Sequence, residues 1–302
     1  MDLKKYCREL PKIELHAHLN GSLSQTTMLH LKRYHADRGF EDKTNAFFDE
    51  FQIGSGDTRN ITDCFQVFSI AHSLTSTPET LAMATMLTLQ EFQDDGCCYI
   101  ELRSTPRETE SMSKRQYLET IIQTIQKSSL NLTMVSKLIV SINRSCPIHD
   151  AEEIANLAIE FSKMYPDVVT LHCGEVCNPE EVLQMLKYKP DRIGHGVCIH
   201  PQYGGTDETW SLLCQMKIPV DYDSHHFREL YDAEIPLIIC TDDKGVFATS
   251  LSQEYRLCAE TFNLTQSQLA RLSLNACQFM FAEEKRKLLN DAVLNFINKN
   301  EL

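Results

Sequence analysis

Ile13-Glu14-Leu15-His16-Ala17-His18-Leu19-Asn20-Gly21-Ser22 alternates apolar and polar side chains and ends in a Gly-Ser turn, the pattern of a half-buried strand running into a loop. Residues two apart in a strand share a face and stand about 6.6 Å apart along it. His16 and His18 can therefore lean toward one ion, each nitrogen at about 2.0–2.1 Å if the ion is zinc. Leu15 and Ala17 are then expected to face the packing side. His-x-His alone does not separate a metal site from two ordinary strand histidines, so its reading depends on the rest of the chain.

The chain has 302 residues, 42% of them apolar and 24% charged, which suits one large α/β domain over residues 1–302. A formal net charge of -13 argues against nucleic acid as a partner, since that needs a basic face. A small phosphorylated ligand needs only one or two local cations. The start, Met1-Asp2-Leu3-Lys4-Lys5-Tyr6-Cys7, carries no apolar core of signal-peptide length, and no apolar run approaches membrane-spanning length. The twelve cysteines are scattered without a Cys-x-x-Cys, and read as reduced, mostly buried thiols of a cytosolic protein. Cys173 and Cys177 are read as packing on a strand and the turn after it.

Beyond the first strand, helices are expected at 25–37 and 62–94, the latter broken at Thr75-Ser76-Thr77-Pro78. The segment 40–60 is polar and Gly-bearing, a surface excursion. A strand at 99–107 stops at Pro106; a helix at 112–128 and a strand at 133–143 follow. A helix at 150–164 has an acidic first turn, favourable to its dipole. Short strands are expected at 168–175, 191–197, 218–222 and 236–243, and the chain is mainly helical from about 251. Alternating strands and helices imply parallel βαβ units. Seven strand signals, most ending in polar residues, point to an incomplete (β/α)8 TIM-type barrel, whose chemistry sits at the C-terminal strand ends.

Four strand ends carry candidate groups. His16 and His18 come from the first. Leu171-His172-Cys173-Gly174-Glu175 gives a histidine followed three residues later by a carboxylate. His195 sits between two glycines, and Ile239-Cys240-Thr241-Asp242-Asp243 ends an apolar strand on paired aspartates. Three histidine nitrogens and one carboxylate oxygen form a sound zinc set with room for a water, whose pKa the ion lowers toward neutrality. Glu175 then reads as proton donor, His195 as the group that orients or deprotonates the water, and Asp243 as a grip on substrate.

These residues, in this order, resemble the motif series of the adenosine/AMP deaminases, a zinc-dependent (β/α)8 family, over nearly the whole chain. The resemblance implies hydrolytic deamination at purine C6 by a single zinc on His16, His18, His172 and Asp242. It also implies that Glu175 protonates N1, His195 assists the attacking hydroxide, His18 borders the substrate and Asp243 binds N7. Where Asn20 stands, adenosine deaminases usually have Asp facing the ribose 5′-hydroxyl; a carboxylate would repel a 5′-phosphate that an amide tolerates. Ser104, Thr105, Pro106 and Arg107 offer hydroxyls and a guanidinium suited to phosphate. Together with Asp242-Asp243-Lys244-Gly245-Val246-Phe247, they resemble the branch of the family that converts N6-methyl-AMP to IMP and methylamine. The resemblance places His72 and Asn143 at substrate-facing positions, and implies a monomer that takes a purine nucleotide.

Two pieces of the family pattern are absent. Relatives carry a strand ending Asp-Leu-x-Gly before the metal histidine, whereas here Tyr165-Pro166-Asp167-Val168-Val169 runs directly into Thr170-Leu171-His172. The second gap follows Ile218-Pro219-Val220, where the chain goes on to Asp221-Tyr222-Asp223-Ser224-His225-His226; this histidine pair is read as solvated. Both gaps fall on core elements, which tolerate deletion less well than loops. The alternatives to an N6-methyl-AMP deaminase are therefore an adenosine or AMP deaminase, and a shortened form that binds zinc or nucleotide without turnover.

Overall fold

The structure is a computed structural model that describes residues 1–38, 66–162, 169–217, 220–222 and 227–300. The expected surface excursion at 40–60, most of both gap segments and the His225-His226 pair lie outside the described residues. In chain order, the strands are β1 (Lys12–His18), β2 (Cys97–Ser104), β3 (Val135–Val140), β4 (Thr170–Cys173), β5 (Arg192–His195), β6 (Val220–Tyr222) and β7 (Leu237–Ile239). The helices are α1 (Leu3–Glu9), α2 (Gln25–Ala36), α3 (Gln66–Leu74), α4 (Pro78–Asp94), α5 (Lys114–Ser128), α6 (Ile148–Phe161), α7 (Pro179–Tyr188), α8 (Asp207–Met216), α9 (Phe227–Asp232), α10 (Leu251–Phe262), α11 (Gln266–Gln278) and α12 (Arg286–Lys299). The strands form two sheets, ordered β1-β2-β3 and β4-β5-β6-β7. The division in strand order falls between β3 and β4.

The residues group into two compact units. The first comprises Met1–His16, Pro166–Cys240 and Ser252–Leu302. Its strands pair in parallel, with Thr170 opposite Arg192, His172 opposite Gly194 and Cys173 opposite His195. In α1 the Asp2 carboxylate accepts from the Lys5 amide at 3.1 Å, capping the helix. Tyr6 of α1 donates to the Gln266 carbonyl at 2.8 Å and packs 5.3 Å from the Phe296 ring, which seats α1 on the C-terminal helices. Neither α1 nor α9 is visible as a periodic pattern, because each is too short to show one. Arg192 is 1% exposed. Its guanidinium donates to the Phe279 carbonyl at 2.8 Å and the Leu15 carbonyl at 3.4 Å, and lies 4.0 Å from the Phe281 ring centroid.

The second unit comprises Ala17–Tyr165 and Thr241–Leu251. β2 and β3 pair in parallel from Tyr99 opposite Val135 to Ser104 opposite Val140. Leu23, Met28, Leu31, Ala71, Leu74 and Val246 pack into one apolar cluster that joins α2, α3 and the segment after β7. The break expected near Pro78 is real: Thr77 caps α4 with a reciprocal capping box and Pro78 opens it. Gly21 and Gly245 interlock, the Gly245 amide donating to the Gly21 carbonyl at 2.8 Å.

β1 departs from the expected half-buried strand. Lys12, Glu14 and His16 are as buried as Ile13, Leu15 and Ala17, as parallel strands covered on both faces require. The polar groups are satisfied locally: the Lys12 ammonium donates to the Cys7 carbonyl at 2.6 Å and the Leu10 carbonyl at 2.9 Å, and the Glu14 carboxylate accepts from the His16 amide at 2.8 Å. Cys173 is buried on β4. Cys177 is exposed, its sulfur 3.4 Å from that of Cys198.

Arg192→Met keeps the bulk of the side chain and abandons two buried carbonyls. Its unfolding free energy in urea is expected to fall by about 2–4 kcal/mol.

Candidate metal centre and active site

Most of the expected site residues lie at or just beyond the C-terminal ends of strands. His18 ends β1, Ser104 ends β2 and His195 ends β5. His172 lies on β4, Glu175 two residues beyond it, and Asp242 and Asp243 follow β7. The backbone there is unusual. Gly174, His195, Gly196 and Asp242 all have left-handed φ, at +68°, +70°, +69° and +53°. For His195 and Asp242 this conformation is strained and persists because neighbouring bonds hold it. The Gly196 amide donates to the Cys173 carbonyl at 2.8 Å, and the Asp242 carbonyl accepts from the His18 amide at 2.9 Å.

In the first unit, Nε2 of His16 and Nε2 of His172 lie 3.1 Å apart. The His195 ring centroid is 5.3 Å from that of His16 and 5.1 Å from that of His172. The carboxylate of Glu175 is 3.9 Å from Nε2 of His195, and its side chain is 42% exposed. In the second unit, Nε2 of His18 is 3.2 Å from a carboxylate oxygen of Asp242. Donor atoms around a four-coordinate ion at about 2.0–2.1 Å stand about 3.3 Å from one another, so both spacings suit ligands of one cation. One ligand atom from each of His16, His18, His172 and Asp242 falls within 4.8 Å of the others. Three imidazoles and a carboxylate are a borderline-soft donor set that fits zinc.

Asp243 is 5% exposed. It is packed so closely against Gly21 that a Cβ on that glycine would lie 1.7 Å from its carboxylate oxygen. A glycine at position 21 is thus what lets Asp243 adopt its place. Next to it, Lys244 pairs with Glu91, whose other oxygen accepts from Ser24 at 2.5 Å and Thr27 at 2.8 Å.

Asn20, Ser104 and Arg107 belong to one hydrogen-bonded group of the second unit. Thr75 and Tyr117 join it, and sequence reasoning missed both. The Asn20 amide nitrogen donates to the Thr75 hydroxyl at 3.0 Å, and the Tyr117 hydroxyl donates to the Asn20 oxygen at 3.1 Å. Tyr117 and Ser104 share a hydrogen bond of 2.8 Å. The Arg107 guanidinium donates to the Thr75 carbonyl at 2.9 Å and to its hydroxyl, and lies 5.8 Å from the Tyr117 ring centroid. Nε of Arg107 is buried without a hydrogen-bond partner. No carboxylate of the described residues pairs with this guanidinium, and burial lowers its pKa. Thr105 is half-buried and Pro106 buried. Asn143 is exposed, its side-chain oxygen accepting from the Ser145 amide at 2.9 Å within its own turn.

His72, on α3, is pushed down from 6.5 to about 4, first by burial and then by the nearby charge of Arg107. The unfolded chain therefore takes up this proton near pH 6.5, the folded chain only near pH 4. The stability it contributes is fully present above pH 6.5 and is lost as pH falls toward 4. His72→Gln removes this dependence. Its unfolding free energy in urea is expected to fall less between pH 6.5 and 4 than that of the parent, by on the order of 2 kcal/mol.

Comparison with known proteins gives this geometry its context. The adenosine deaminase family model matches residues 11–165 and 209–295; His172, Glu175 and His195 lie in the interval between. The human N6-methyl-AMP deaminase is 37% identical over 328 aligned positions, covering 92% of this chain and 91% of the relative. Those positions outnumber the 302 residues of the chain, so the relative carries residues without a counterpart here. The apo structure of the N6-methyl-AMP deaminase from Arabidopsis thaliana superposes with a TM-score of 0.83 at 32% identity, covering 97% of this chain and 98% of that one. A crystal structure of Arabidopsis ADAL complexed with IMP gives 0.83 at 32% identity, covering 99% and 100%. The α/β fold is that of the amidohydrolase TIM-type barrels. A family model that spans most of the chain, joined to relatives above 30% identity along more than nine-tenths of it, makes this chain a member of the adenosine deaminase family.

Proposed function

We propose that the chain is a zinc-dependent deaminase of purine ribonucleoside monophosphates that converts N6-methyl-AMP and water to IMP and methylamine. The observation that carries the nucleotide reading is Arg107: a half-buried guanidinium with no carboxylate partner among the described residues and a buried, unpartnered Nε–H. A cation partly withdrawn from water is stabilised when an anion meets it, and a phosphate offers oxygens that match a guanidinium. Asn20 beside it is neutral and leaves that charge for the ligand. The human relative is an N6-methyl-AMP deaminase and an Arabidopsis relative is solved with IMP, which supports the same substrate for this chain.

His16, His18, His172 and Asp242 would hold the zinc, one per chain, and the ion supplies Lewis-acid activation of water at neutral pH. Glu175 donates a proton to purine N1, which makes C6 electrophilic. His195 takes a proton from the attacking water, and Asp243 holds N7. His18, Ser104, Thr105, Pro106 and Asn143 complete the proposed substrate contacts, and His72, neutral at pH 7, lines the phosphate end. The water oxygen bonds to C6 as the N1–C6 double bond opens. The C6–N bond then breaks with the proton held by His195 passing to the departing methylamine, and the C6 hydroxyl proton returns to Glu175, leaving the 6-oxopurine of IMP. Among the described residues no helix is long and apolar enough to cross a membrane. The eleven free thiols of the described residues fit a reducing cytosol, where we place the protein as a monomer.

A second reading is favoured by one observation: the human relative's aligned length exceeds this whole chain. It keeps the zinc and gives up turnover. Incubating the purified, zinc-loaded chain with N6-methyl-AMP, AMP or adenosine separates the two. IMP is expected from N6-methyl-AMP at a rate well above product formation from AMP or adenosine. Equal rates on adenosine would move the substrate to the nucleoside, and one zinc per chain without product from any of them would establish the second reading. In the active chain, Glu175→Gln is expected to lower kcat by about 10²–10⁴ while the zinc content measured by metal analysis stays at the parent level.

A further inference from the structure

The Thr75 hydroxyl stands where two of the phosphate-end side chains meet. Thr75 follows α3 and is 0% exposed. Its hydroxyl donates to the Ala71 carbonyl one helical turn back, at 2.8 Å. Its proton is thereby committed, and the oxygen has only lone pairs left to offer. It spends them on the Asn20 amide nitrogen and on Nη2 of Arg107. Because the Thr75 oxygen can only accept, the amide nitrogen of Asn20 must face it, and at the other end the amide oxygen accepts from Tyr117. Every proton in the chain Tyr117–Asn20–Thr75–Ala71 then has one direction.

We infer that Thr75 is a positioning and specificity-determining residue for the 5′-phosphate end of the substrate, because its oxygen can be served only by hydrogen-bond donors. A carboxylate at position 20 has none, so Thr75 retains an amide there. The same oxygen and the Thr75 carbonyl clamp one nitrogen of Arg107, which fixes the guanidinium with Nε–H still unspent. Thr75 acts through its two neighbours and sets how well the chain tells a nucleotide from a nucleoside. The inference rests on the phosphate reading of Arg107 and Asn20 given above.

Thr75→Val is nearly isosteric and removes both the donor and the acceptor, whereas Thr75→Ser keeps them. Binding of IMP and of inosine to the zinc-loaded full chain is measured by titration calorimetry, alongside KM and kcat for N6-methyl-AMP. The parent is expected to bind IMP more tightly than inosine. Thr75→Val should weaken IMP at least tenfold, leave inosine within about twofold, and raise KM with kcat nearly unchanged; Thr75→Ser should restore the parent values. An unchanged IMP affinity in Thr75→Val overturns the inference. So does an equal loss of IMP and inosine, which marks a merely structural residue. Should the valine variant fail to fold, Thr75→Ala is read by the same criteria. A parent that binds IMP and inosine alike refutes the phosphate reading itself, and the inference with it, so the two failures are told apart by the parent alone.

Discussion

A single backbone hydrogen bond, from the His18 amide to the Asp242 carbonyl at 2.9 Å, governs much of what the second unit can do. It ties the end of the first strand to the segment after the last one and sets Ala17 opposite Asp242. It also brings the His18 imidazole to the Asp242 carboxylate. Asp242 must turn into the left-handed region to make the contact, and Asp243 then enters the space that Gly21 leaves open. The Gly21–Gly245 interlock and the Lys244–Glu91 pair hold the turn from either side. A small number of main-chain contacts thus set two adjacent carboxylates, one a proposed metal ligand and the other a proposed substrate contact.

Much of this was legible from periodicity and punctuation. The two-residue period of β1 put His16 and His18 on one face, and the proline at 78 divided α3 from α4 where the structure divides them. Seven strand signals correspond to seven strands among the described residues, because short β-branched runs between helices have few other readings. Strand lengths were overestimated: 168–175, 191–197 and 236–243 shorten to Thr170–Cys173, Arg192–His195 and Leu237–Ile239. Ladder pairing ends before the hydrophobic pattern does, and the chain there turns through residues with left-handed φ. The burial of Lys12 and Glu14 was not legible, since alternation of polar and apolar residues carries no information about the layer covering the second face.

Thr75 and Tyr117 escaped for a different reason. Their partners are distant in sequence: Asn20 is 55 residues from Thr75 and 97 from Tyr117, and Arg107 is 32 from Thr75. Local propensity is blind to such pairings. A threonine at a helix end and a tyrosine inside an amphipathic helix each satisfy an ordinary structural expectation. Only their shared partners reveal a network with directed protons. Where polar residues flank a proposed charged subsite, the informative sequence feature was the break at 75–78, for it marked the place where α3 delivers its last hydroxyl.

The left-handed backbones of His195 and Asp242 also bear on how this protein can be improved. Glycine at either position would relax the backbone by on the order of 1 kcal/mol or more while deleting a proposed catalytic base or metal ligand. Selection for heat resistance alone would therefore drift toward an inert fold, and a library screened by melting temperature would enrich its least useful members. At these two positions durability and chemistry pull in opposite directions. Engineering for robustness belongs elsewhere, on exposed helix faces far from the strand ends.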